Sequence, residues 1–144
     1  TREWCRIEIL EAKRNHCPVV IVNAIKKGEN RAFPYMGNVP TIRWSNNPEE
    51  IADLALLQIL YRLHTRLVLE KVASTYGVVS ELVLPYHPEL LDLAQIQKGL
   101  IGGKDGNHLV IYPDPPLGSE ELDLLNELND KVEFTTPTEL PLLV

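Results

Sequence analysis

Pro18-Val19-Val20-Ile21-Val22-Asn23 decides the fold. Its unbroken run of β-branched residues leaves no polar side for water, so it suits a strand covered on both faces, as in the centre of a parallel sheet. The residues in front of it supply a helix. Thr1 can cap a helix over 2–15, where Trp4, Ile7, Ala12 and Cys5, Ile9 recur at helical spacing until Pro18 ends the pattern. Behind the run, 26–40 carries Gly28, Pro34, Gly37 and Pro40 among charges, which marks an irregular surface loop of a length that often carries function. Thr41-Ile42-Arg43-Trp44 then alternates as a short strand does.

Asn47-Pro48-Glu49-Glu50 is a strong helix start, with an Asn cap, Pro at the first helical position and two carboxylates facing the positive end of the helix dipole. The spacing predicts a helix to Tyr76, before Gly77, whose apolar residues cover more than one face; it either crosses the core or carries a partner surface. A second unit follows. Ser80 to Leu84 is weakly strand-like, Pro88 to Gln97 helical, Gly99 to Asn107 a loop, and Leu109-Val110-Ile111-Tyr112 another strand of buried type. Pro113 to Gly118 is a rigid turn, Ser119 an N-cap for Glu120 to Asn129, and Val132-Glu133-Phe134 a last strand. The alternation predicts an α/β fold, a parallel sheet flanked by helices with right-handed connections. Three segments result: 1–47, the long helix 48–78, and an α/β extension over 79–144.

The chain has 144 residues, 44% apolar and 24% charged, enough for one globular domain and far from the compositions of disordered or fibrous chains. Its 14 Lys and Arg against 20 Asp and Glu give a net charge of -6, which opposes attraction to phosphate backbones and anionic lipid, so nucleic acid and membrane are not expected partners. Two cysteines, Cys5 and Cys17, with no CxxC or CxxH spacing, suit a reducing, cytoplasmic setting rather than a disulfide framework or a zinc site. The four histidines show no HExxH or paired spacing, so no metal is expected. Starting at Thr1 and entering a helix at once, without a leading strand, the chain reads as cut at the front.

Glu8 is the candidate for chemistry. On a helical wheel it falls inside the arc of Trp4, Ile7, Ala12 and Cys5, one turn from Trp4 and Ala12, which would turn its carboxylate toward the protein. Such a group has a functional bias, because burial disfavours its charged form unless a hydroxyl or cation binds it. The plain alternative is a partly exposed carboxylate at the helix edge.

The stretch Arg2-Glu3-Trp4-Cys5-Arg6-Ile7-Glu8-Ile9-Leu10, followed by Pro18-Val19-Val20-Ile21-Val22-Asn23, resembles the WCxxE helix and following strand of Toll/interleukin-1 receptor (TIR) domains, bacterial ones in particular. Phe33-Pro34-Tyr35 and Pro40-Thr41-Ile42-Arg43-Trp44 are similar to segments that follow that strand in bacterial TIR-like proteins. The resemblance implies a partial flavodoxin-like TIR fold in which 1–47 is the C-terminal part of the domain, its N-terminal half missing, with a C-terminal α/β extension. It implies NAD hydrolase activity, cleaving the bond between nicotinamide and ribose, with Glu8 as the catalytic residue and Trp4 and Cys5 lining the pocket. NAD is then a substrate, and no cofactor is needed. A carboxylate suits a transition state resembling an oxocarbenium ion, whose developing charge it stabilises. The products are nicotinamide and ADP-ribose or a cyclic isomer. Self-association through TIR contacts and a role in bacterial antiviral defence follow from the same resemblance.

The main alternative is a non-enzymatic TIR-type protein-interaction module, in which the Trp4 helix and the 48–76 helix make protein contacts and Glu8 is structural. A nucleotide-sensing α/β domain is a third reading, resting on fold analogy. Two further motifs remain open. Gly99-Leu100-Ile101-Gly102-Gly103-Lys104-Asp105 invites comparison with a phosphate loop, but its spacing is short of GxxxxGK and a strand follows it. Tyr112-Pro113-Asp114-Pro115-Pro116 sets an acid at the carboxyl end of a strand, where open α/β sheets bind ligands.

Overall fold

The computed structural model describes residues 2–25, 39–78, 82–102 and 107–143, with side chains from Trp4 onward. It is an α/β protein of small parallel sheets and helices. The chain divides into two compact units, Thr1–Tyr61 and Arg62–Val144. The division falls inside the long helix, which the sequence reading set apart as a segment of its own.

The first unit holds helix α1 (Arg2–Arg14), strands β1 (Ile21–Asn23) and β2 (Thr41–Arg43), and the start of α2 (Pro48–Tyr76). His16 closes α1 by adopting φ 54°, which lets the Cys17 N–H donate to the Ala12 carbonyl at 2.8 Å. Helix α1 thus ends before Pro18 arrives. Strands β1 and β2 pair in parallel, Ile21 beside Thr41 and Asn23 beside Arg43. Helix α2 starts where the Asn47 side chain accepts a hydrogen bond from the Glu49 N–H at 3.2 Å, the Asn cap expected from sequence. Among the described residues, β2 is the only neighbour of β1, Val22 is exposed, and no residue of this unit is buried. The expected central strand, covered on both faces, is therefore not found at Val19–Val22.

The second unit has that architecture. Strand β3 (His108–Ile111) pairs in parallel with β4 (Val132–Thr135), and on its other side Val83 bridges Ile111 in parallel while the Leu84 N–H donates to the Ile111 carbonyl at 2.9 Å. Helix α3 (Leu90–Gln97) connects the 82–84 segment to β3, and α4 (Ser119–Leu128) connects β3 to β4. Right-handed crossovers stepping in one direction place both helices on the same face. The packing agrees: Leu84, Val110, Tyr112 and Phe134 form one core cluster with Leu93 and Ile96 of α3 and Leu125 of α4. Alternate residues point the other way. Val83 and Ile111 pack with Leu69 and Ala73 of α2 and with Leu140 of a closing 3-10 turn, Leu140–Leu142. The strand run Val110-Ile111-Tyr112 is wholly inaccessible to water, so here the continuous apolar pattern does mark a strand covered on both faces. Each large apolar side chain buried this way contributes about 1.5–3 kcal/mol relative to exposure.

Candidate functional site

Helix α1 carries the three sequence-nominated side chains. Trp4 and Glu8 are one turn apart, so they share a stripe, and Cys5 lies a quarter-turn round the axis. All three are exposed, Trp4 at 69%. This corrects the expectation that Glu8 faces the protein. The half-buried arc of α1 is Ile9, Leu10, Ala12 and Lys13, rotated from Glu8 by about a third of a turn. The apolar arc and the covered arc differ because Trp4 and Ile7 meet water. Among the described residues Glu8 has no hydrogen bond or ion pair, whereas Glu11 one turn on accepts from Asn15 at 3.1 Å and meets Arg14 at 3.5 Å. Glu8 and Trp4 are thus an exposed carboxylate and an exposed aromatic side chain on one stripe of α1.

Sequence reasoning singled out Tyr112 to Pro116 in the second unit, and the structure gathers more residues at that edge. Asp92 on α3 is 3% exposed. Its carboxylate accepts from the Tyr86 hydroxyl and from the Glu89 N–H, each at 2.8 Å, and the Arg62 guanidinium lies 4.5 Å over the Tyr86 ring. Burial foremost, then the Asp92 charge, pushes the Tyr86 phenol well above its ordinary range. His87 Nε2 is 2.9 Å from the Pro115 carbonyl, and its ring stands 5.7 Å from that of Tyr112. The Tyr112 hydroxyl accepts from the Leu117 N–H at 2.8 Å, and burial raises its pKa too. Asp114 itself is exposed. The signal for Asp92 was present but faint, a single acid in the otherwise apolar first turn of a short helix.

These groups satisfy one another, and their arrangement bears on the nucleotide-sensing alternative. At the edge where such a fold would bind phosphate, each helical turn takes up one of the chain's own carboxylates: Asp92 at Glu89, Glu121 at the Gly118 N–H (3.3 Å), and Glu139 at the Thr136 N–H (3.3 Å). An anionic ligand there meets three negative charges. The cap of α4 is also Gly118 rather than Ser119, which is the first helical residue. Of the glycine-rich stretch, residues 103–106 lie outside the described residues. Gly102 has φ 72°, and a Cβ there would come 2.7 Å from Leu82, so this glycine allows a close turn against the core.

Among the described residues no group of three or more His, Cys, Asp or Glu side chains is placed to hold a metal ion, and no helix is long and apolar enough to cross a membrane. Compared with protein-family models, with curated proteins and with solved structures, the chain finds no match in any of the three.

Proposed function

We propose that this chain carries the catalytic helix of a TIR-like NAD hydrolase, with Glu8 as the carboxylate at the nicotinamide–ribose bond and Trp4 and Cys5 beside it. The observation that supports this reading is an exposed Glu one turn from an exposed Trp, on a helix that leads into a parallel strand pair. In the reaction the C1′–N bond of the nicotinamide riboside breaks, and its electron pair passes to the pyridinium nitrogen, releasing neutral nicotinamide. Positive charge then spreads over C1′ and the ring oxygen, and the Glu8 carboxylate stabilises it. Water adds at C1′ and loses a proton to give ADP-ribose, or an internal nucleophile closes a cyclic isomer. Trp4 offers a flat apolar face for a ring of the substrate. The partial flavodoxin-like TIR fold, the cytoplasmic setting, self-association through TIR contacts and the place in antiviral defence belong to this same proposal.

The test is nicotinamide release from NAD by the natural full-length protein. Glu8→Gln is expected to lower it by about 10²–10³-fold, the scale of losing one group that stabilises transition-state charge. Because Glu8 is exposed, the circular dichroism spectrum should not change. Undiminished turnover in Glu8→Gln overturns the assignment.

A second reading has its own support. Helix α2 exposes a row of leucines, which favours a non-enzymatic TIR-type interaction module. Full-length protein that assembles but releases no nicotinamide would decide for that reading.

A further inference from the structure

We draw no further inference here: the strongest candidate, the exposed face of helix α4 where Leu124 and Leu128 stand among Glu120, Asp123 and Glu127, carries none because nothing in the structure shows what covers it.

Discussion

The pair β1–β2 and the pair β3–β4 follow the same rule, two short parallel strands joined through a connection and preceded by helix, yet only the second pair lies in a core. Around β3 the chain supplies strand neighbours on both sides and helices on both faces, and Val110, Ile111 and Tyr112 lose all contact with water. Around β1 it supplies one strand neighbour, and no residue of that unit is buried, among the described residues. A β-branched run therefore specifies a strand, while its burial depends on whether other segments arrive to cover it. The candidate chemistry follows the same division. Trp4, Cys5 and Glu8 sit in the first unit, while the described buried residues all lie in the second.

Truncation separates the two units most sharply. Ile111→Ala, at a wholly buried position, should cost about 3–4 kcal/mol in denaturant unfolding, whereas Ile21→Ala on half-buried β1 should cost about 1 kcal/mol or less. Equal losses would break the contrast. Asp92→Ala is next, at about 2–3 kcal/mol, because it strips the Tyr86 hydroxyl and the Glu89 N–H of their acceptor in a closed site.

Tyr86 gives the second unit a dependence on alkaline pH. Its folded pKa is raised, so the stability it confers is complete below the unfolded phenol value of about 10 and declines as pH climbs above it, because the unfolded chain ionises first. The slope approaches about 1.4 kcal/mol per pH unit for this group. Tyr86→Phe should flatten that limb of the pH–stability curve while costing about 1 kcal/mol near neutrality. An unchanged limb in Tyr86→Phe would assign it to other groups.

Surface changes in either unit should barely register. Glu8→Gln is expected to move stability by less than about 0.5 kcal/mol, since the side chain is exposed. Arg66→Ala removes the Arg66–Glu70 pair on α2 and should cost about 0.3–0.5 kcal/mol, less at high salt.

Local chemistry was the legible part of the sequence. Asn47-Pro48 fixed the start of α2 and Gly77 its end, where φ 73° lets the Val78 N–H reach the Ala73 carbonyl at 2.9 Å. Leu109 to Tyr112 was recognisable as a strand buried on both faces. What periodicity does not carry is which side of an amphipathic arc another segment covers: the wheel turned Glu8 inward with Trp4, and the structure covers the arc of Ile9 and Ala12 instead. The buried Tyr86–Asp92 pair was missed for a related reason. Tyr86 and Asp92 meet only through the turn between the 82–84 segment and α3, and six residues of separation across a loop leave no periodic trace.

Amide hydrogen exchange on the chain, followed by mass spectrometry, tests the central contrast directly. Peptides covering Val110–Tyr112 and Val132–Thr135 should exchange only through global unfolding, while those covering Ile21–Asn23 and Thr41–Arg43 should exchange faster by orders of magnitude through local opening. Equal and strong protection of both strand pairs would contradict the account, because it would mean that the unit carrying Glu8 has a core of its own.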